Sequence, residues 1–320
     1  MTRIAVLDDY QGVAMQMADW SVLPSDAQVQ VFRDHLADPN AVAQRLRDFE
    51  VVMAMRERTP FPRHVLEELP QLRLLVTTGM RNASIDVAAA QSLGITVCGT
   101  RGLPTPTAEL TWALILAVVR HIPREDHATR SGQWQVTLGE GLHGKTLGVI
   151  GLGNLGSQVA HVGKAFGMSL LAWSQNLTAE RAAQHGATLV SKDELLATAN
   201  VVTLHLVLSA RTRGLLGARE LESMQRSAYL INTSRGPLVE EAALIHALEH
   251  GIIAGAGLDV FDEEPLPLDH AFRRLENIVI TPHLGYVTVE TYRMFFGDAV
   301  EDIRAFLSGT PTRVIAAPTA

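Results

Sequence analysis

Gly151, Gly153 and Gly156 form a G-x-G-x-x-G run, Gly151-Leu152-Gly153-Asn154-Leu155-Gly156, between the apolar stretch TLGVI and the helix-like LGSQVAHVGKAF. In a strand-to-helix turn the first such glycine allows the sharp bend, the second lets the backbone approach a pyrophosphate, and the third lets helix and strand pack closely. Amides at the helix start then hold phosphate oxygens. The run alone is also compatible with a glycine-rich turn that binds nothing; the order strand, turn, helix is what selects dinucleotide binding. Sites that prefer NAD usually carry a carboxylate at the end of the next strand, about 20 residues on, where it binds the ribose hydroxyls and repels a 2′-phosphate. Ser174 stands there instead, in Trp173-Ser174-Gln175-Asn176, and Arg181 is the first cation downstream. NAD is the favoured cofactor and NADP stays open, because Ser174 fits a plain loop start as well as a selectivity role.

The elements that must carry this turn are short and apolar. IAVLDD, VQVF, VVMAM, LRLLVTT and ITVC come first, and TLGVIG, MSLLAW, VVTLHL, AYLIN, IAGAGLDV and NIVITPH follow from Thr146. Helix-like stretches separate them, which is the pattern of parallel α/β units. Between the two series lies RGLPTPTAELTWALILAVVRHIP, where the spacing predicts a helix capped by Thr105, with Pro106 at its first position and Pro123 at its end. That helix is expected to join two domains. A last amphipathic helix is predicted over VTVETYRMFFGDAVEDIRAFLSG, ending before Gly309.

Composition excludes several classes. A chain of 320 residues exceeds the usual single core, so two domains are expected. With 47% apolar and 19% charged residues the chain is an ordinary globular one. A formal net charge of -7 argues against nucleic acid or anionic lipid as partner. One cysteine, Cys98, leaves no disulfide framework and suits a reducing, cytoplasmic setting. MTRIAVLDDY passes directly into a strand-like run without a signal-peptide pattern, and the most apolar helix candidate is about half the ~20 residues a membrane span needs. Neither export nor membrane insertion is expected. The twelve histidines are dispersed without an H-E-x-x-H motif, so no metal is expected.

From Gly144 onward the sequence resembles the D-isomer-specific 2-hydroxy acid dehydrogenase family, which includes phosphoglycerate, glyoxylate/hydroxypyruvate and formate dehydrogenases. Three blocks carry the resemblance: HGKTLGVIGLGNLG, INTSRGPLVEEAALIHALEHGIIAGAGLDVFDEEPLP and NIVITPHLG. Weaker similarity in LLVTTGMRNASID, PTAELTWALILA and SGQW extends it over most of the chain. The resemblance implies two doubly wound parallel-sheet α/β domains. The flavodoxin-like substrate domain is expected over residues 1–100 plus 288–320, and the larger NAD(P)-binding Rossmann domain over 101–287. It also implies a homodimer, assembled through the cofactor domain and its apolar PTAELTWALILAVVR helix.

The implied site has consistent chemistry. Arg235, in NTSRG, supplies a permanently charged planar fork that can bind a carboxylate and polarise the adjacent ketone; it also fits a helix cap or salt bridge. His283, in TPHLG, is the candidate proton donor in ketone reduction and acceptor in alcohol oxidation, since imidazoles as a class titrate near neutral pH. Glu264, immediately before Pro265 in DVFDEEP, matches the family's glutamate that orients and charges the histidine; Glu263 would take its place if the register moved by one. Asp259 matches the aspartate that contacts the nicotinamide carboxamide. Thr107, Thr233, Gly285 and the backbone at Leu206 and Val207 fall where relatives line the cofactor cleft, with Val207 replacing the usual proline. Asn154 and Leu155 complete the phosphate turn.

For the substrate, Thr78, Gly79, Met80 and Arg81 align with the family's carboxylate-receiving loop. Arg56 and Arg58, in MRERTPF, resemble arginines that phosphoglycerate dehydrogenases place near the substrate phosphate; two surface arginines are the plain alternative. Tyr286 stands where relatives carry small residues. The expected function is hydride transfer between NAD(P)(H) and the α-carbon of a D-2-hydroxy or 2-keto acid. The alternatives are a formate- or phosphite-type dehydrogenase, a short-form phosphoglycerate dehydrogenase, and an NAD(H)-dependent corepressor-like binding protein.

Overall fold

Apolar runs of four or five residues, rich in Val, Leu and Ile, suit parallel strands buried on both faces. In the computed structural model, which describes residues 1–317, the first half alternates β1 (Thr2–Val6), α1 (Ala14–Met17), β2 (Ala27–Val31), α2 (Pro39–Leu46), β3 (Val51–Ala54), α3 (Arg63–Glu67), β4 (Leu74–Thr77), α4 (Val87–Ser92) and β5 (Thr96–Gly99). The second half continues with α5 (Thr105–Val119), α6 (Ile122–Arg130), β6 (Thr146–Ile150), α7 (Asn154–Ala165), β7 (Ser169–Trp173), α8 (Ala179–Gln184), β8 (Thr188–Leu189), α9 (Lys192–Thr198) and β9 (Val201–Leu204). It ends with α10 (Ala218–Ser223), β10 (Tyr229–Asn232), α11 (Glu241–Glu249), β11 (Gly255–Leu258), β12 (Ile278–Ile280) and α12 (Val289–Leu307).

These elements form two compact units, Met1–Leu103 with Thr288–Ala320, and Pro104–Val287. The first unit holds a parallel sheet of order β2-β1-β3-β4-β5, the flavodoxin-like order. The second holds a parallel sheet of order β12-β11-β10-β9-β6-β7-β8, a Rossmann order with one added strand. The expected fold class, two doubly wound parallel-sheet units with the larger of Rossmann type, is the one observed. β8 escapes a sequence reading because two residues carry no periodicity.

Two local expectations need correction. Thr105 is already inside α5, whose N-cap is Pro104, and its side chain makes no capping bond. Pro123 does not end that helix but sits in the first turn of α6, where proline's missing N–H costs nothing. Nor is α5 a linker. Trp112, Leu114, Ile115, Val118 and Val119 bury it in the core of the second unit, where Trp112 donates its indole N–H to the Val159 carbonyl at 3.1 Å. Its apolarity therefore reflects packing inside the unit and is no argument for a dimer face.

In the first unit, α12 docks through acids. Asp298 accepts from Arg101 three times, at the backbone N–H (2.8 Å), Nε (3.0 Å) and Nη2 (2.7 Å), which holds its pKa below the usual carboxylate range despite burial. One turn on, Asp302 is fully buried; burial pushes its pKa up to about 6, against the opposing pull of Thr312 and Arg313. A carboxylic acid raised in the folded state binds protons that the unfolded chain has released, so its stabilising effect is lost as pH rises from the unfolded value toward about 6. Asp302→Asn is therefore expected to gain thermal stability relative to wild type as pH rises from about 4 to about 6, read as a Tm difference in parallel melts that widens over that range and then levels off.

Candidate active site

Strand order in the second sheet reverses between β6 and β9, and doubly wound sheets bind ligands beyond the carboxyl ends of the strands at such a point. The Gly151 turn leaves β6 there. Gly151 has φ +100°, and a Cβ on it would stand 2.6 Å from the His205 carbonyl oxygen of the loop after β9. A Cβ on Gly156 would collide with the Gly151 carbonyl, so the third glycine lets α7 close on the turn. Gly153, the N-cap of α7, has nothing within 4 Å of where its Cβ would be. A tight bend, an open face and the N-terminus of a 12-residue helix fit a dinucleotide pyrophosphate, with Asn154 and Leu155 in the first turn. Leu206 packs beside Gly151, Val207 is 79% exposed, and Ser174 is half-buried after β7 with its carbonyl accepting from Leu177 N–H.

The candidate proton-handling residues lie on loops after β10, β11 and β12. His283 Nδ1 and Glu264 Oε2 are 2.6 Å apart, which identifies Glu264, rather than Glu263, as the histidine's partner. An ionised carboxylate can only accept, so Nδ1 carries the shared proton and Nε2 faces the other way. Glu264 is itself fixed, accepting from the Phe261 N–H at 3.0 Å through Oε1. Phe261 meets the Arg235 loop by backbone: a Cβ on Gly236 would collide with the Phe261 carbonyl group, so only glycine allows the two loops this approach. Arg235 is extended, and its Nη1 donates to the Ser234 carbonyl at 2.7 Å.

His283 adopts φ +55°, a left-handed conformation that costs a non-glycine residue about 1–3 kcal/mol. Asp259 holds it there. Its fully buried carboxylate accepts from Thr281 Oγ1 (2.6 Å), Leu284 N–H (2.7 Å) and Gly285 N–H (2.8 Å), bracketing His283 on both sides. Burial still raises the Asp259 pKa, with these donors and the neighbouring histidine pulling it down. Thr107 donates from Oγ1 to the Gly285 carbonyl at 2.8 Å, a second tie on the same loop. Thr233 pairs with Thr111 Oγ1 at 2.8 Å inside the core, so its hydroxyl braces α5 against β10. Tyr286 packs edge-on against His283, with centroids 5.4 Å apart.

In the first unit, Thr78, Gly79, Met80 and Arg81 follow β4. The Gly79 N–H is already donated to Thr100 Oγ1 at 2.9 Å, so it is not the amide open to a carboxylate; those of Met80 and Arg81 have no hydrogen-bond acceptor among the described residues. Arg56 follows β3 with φ +53°, its N–H donated to Thr78 Oγ1 at 2.8 Å. Thr281, Thr100 and Thr111 escape a sequence reading: each acts through a partner at least 20 residues away, and an isolated threonine carries no signal of that.

A family model, D-isomer specific 2-hydroxyacid dehydrogenase, NAD binding domain, matches residues 112–285. The chain belongs to that family. It is 41% identical to the glyoxylate reductase of Aeropyrum pernix over 77% of this chain and 76% of that one. Its fold is similar to that of a phosphoglycerate oxidoreductase from Vibrio cholerae O395, with a TM-score of 0.92, 36% identity and coverage of 97% and 100%. It is also similar to D-lactate dehydrogenase from Aquifex aeolicus complexed with NAD and lactic acid, with a TM-score of 0.80, 26% identity and coverage of 99% and 100%. The protein is thus an NAD-dependent oxidoreductase of the 2-hydroxy acid class. Among the described residues no helix is long and apolar enough to cross a membrane.

Two consequences are measurable. Asp259→Ala strands three donors around His283 and is expected to cost about 3 kcal/mol in chemical denaturation, by the desolvation of buried unpaired groups. Gly153→Ala should leave the melting temperature nearly unchanged yet raise the NADH Kd at least about tenfold, whereas Gly156→Ala should lose about 1–3 kcal/mol of stability through overpacking.

Proposed function

We propose that the protein reduces small 2-keto acids, of the size of glyoxylate and hydroxypyruvate, to D-2-hydroxy acids, with Arg235, Glu264 and His283 as its catalytic residues. The observation that carries this reading is the 2.6 Å contact between His283 and Glu264 beside the nicotinamide-type fold. When bound, NADH supplies the hydride that adds to the α-carbon. Arg235 binds the carboxylate and draws electron density toward the carbonyl oxygen, where its charge has most effect as alkoxide character develops. His283 gives its Nε2 proton to that oxygen, while Glu264 keeps the imidazole oriented through Nδ1 and balances its positive charge. Oxidation of the hydroxy acid runs the same proton path backward.

In the first unit, the amides of Met80 and Arg81 are open to an anionic group, with Thr78 and Gly79 shaping the loop. Asp259 serves chiefly as the anchor of the His283 loop, and with Thr107, Thr233 and Gly285 it would hold the carboxamide end of the cofactor. NADH is the favoured cofactor, and because Ser174 offers no negative charge to repel a 2′-phosphate, NADPH is accepted as well. A homodimer forms through the second unit, supported by Trp134 and Leu138, which are 78% and 93% exposed after α6. A cytoplasmic location is consistent with the single buried cysteine, Cys98.

Oxidation of NADH and NADPH should be followed against glyoxylate, hydroxypyruvate and phenylpyruvate. Wild type is expected to turn over at least one keto acid, His283→Ala to lose about a hundredfold or more in kcat, and Glu264→Gln to lose less. Binding of NADH without turnover of any keto acid would sink the reading.

A further inference from the structure

Glu264 sits on the long turn between β11 and β12, and a side chain on such a turn keeps its place only where the turn itself is braced. The far end of this turn is built on one histidine. His270 caps the 3-10 turn Ala271–Arg273, its Nδ1 accepting from the Phe272 N–H at 3.2 Å. A backbone N–H can only donate, so Nδ1 is the unprotonated nitrogen and Nε2 carries the proton. Nε2 stands 3.0 Å from Oε1 of Glu241, the first residue of α11, and donates to it. The contact is sheltered, with the two side chains only 15% and 25% exposed. Both imidazole nitrogens are thus engaged, one shaping the turn and the other tying it to the helix that follows β10.

From His270 a packed path leads back to Glu264. The His270 ring lies against Phe272, with centroids 4.9 Å apart, and Phe272 lies against Phe261 at 6.2 Å. Both phenyl rings are buried in the core of the second unit. The Phe261 N–H is the donor that fixes Glu264 through Oε1. The same 3-10 turn also holds the residues just past Pro265: Arg273 donates from Nη2 to the Leu266 carbonyl at 2.7 Å and from Nε to the Pro267 carbonyl at 2.8 Å.

We propose that His270 is a positioning residue, whose bond to Glu241 holds the turn 262–270 in the path that keeps Glu264 on Nδ1 of His283. It acts on the reaction through Glu264 and on no reacting atom. This role rests on the reading above, in which Glu264 and His283 handle the proton.

Three substitutions separate the tie from the cap. His270→Asn keeps an acceptor for the Phe272 N–H, as asparagine does at helix starts, but is too short to reach Glu241. Glu241→Ala removes the tie and leaves His270 in place, while Glu241→Gln keeps an acceptor for Nε2 and removes only the charge. With NADH and the keto acid that wild type turns over best, His270→Asn and Glu241→Ala are expected to lower kcat about tenfold with KM within about twofold, because a misplaced Glu264 slows proton transfer without weakening substrate binding. Glu241→Gln is expected to restore most of kcat. Wild-type kcat in His270→Asn overturns the proposal, as does a loss confined to KM or an equal loss in Glu241→Gln. If wild type turns over no keto acid, the functional reading has failed, and the positioning is read by hydrogen exchange at the Phe261 amide relative to the β6 amides. Protection at Phe261 that falls at least about tenfold in His270→Asn and holds in Glu241→Gln then supports the proposal; unchanged protection in His270→Asn overturns it.

Discussion

A carboxylate with no contact to water needs its charge met by donors, and Asp259 meets that need with a hydroxyl and two amides from one loop. The requirement works in both directions. The donors keep Asp259 in the core, and Asp259 keeps Thr281 to Gly285 in the one path that satisfies them. His283 lies on that path in a backbone conformation it would not choose, and the same loop end is tied by Thr107 and packed by Tyr286. A strained residue persists where its surroundings over-determine it, and here the surroundings are a buried charge.

Around this anchor, loops from three adjacent strands converge at one end of the Rossmann sheet. The β10 loop brings Arg235, the β11 loop brings Asp259 and Glu264, and the β12 loop brings His283. Parallel strands end at the same edge, so each loop arrives already on the correct side. Gly236 then permits the close backbone approach that joins the arginine loop to the glutamate loop. The glycine turn after β6 applies the same principle to a phosphate: a missing side chain is the means by which a backbone comes near.

The sheet of the first unit carries the same topology to a different end. Its reversal point is crossed by side chains, with Arg58 joining the β1 and β3 loops and Glu57 beside Arg56. Arg58 is held there by the Asp8 carbonyl and the Tyr10 ring, groups of the unit itself. What such an edge recognises depends on which cations have partners, and a count of arginines in the sequence does not report that.

The sequence by itself determined most of the strands and the glycine turn, and named Arg235, Glu264 and His283 as candidates, with Glu263 as the alternative to Glu264. Alternation of short apolar runs with helical periodicity is local, and the family-like blocks keep the candidate residues at fixed spacings from strand ends. It misjudged α5, because an apolar helix looks alike whether it packs in a core or in a dimer, and it read Pro123 as an end when it opens α6. Only the tertiary structure decided between Glu263 and Glu264, made Asp259 the anchor of the histidine loop, took Gly79 out of carboxylate binding and paired Arg56 with Glu57. Each of these rests on a hydrogen bond or ion pair whose length and direction are fixed by where folded loops meet, and the order of residues along the chain does not contain that distance.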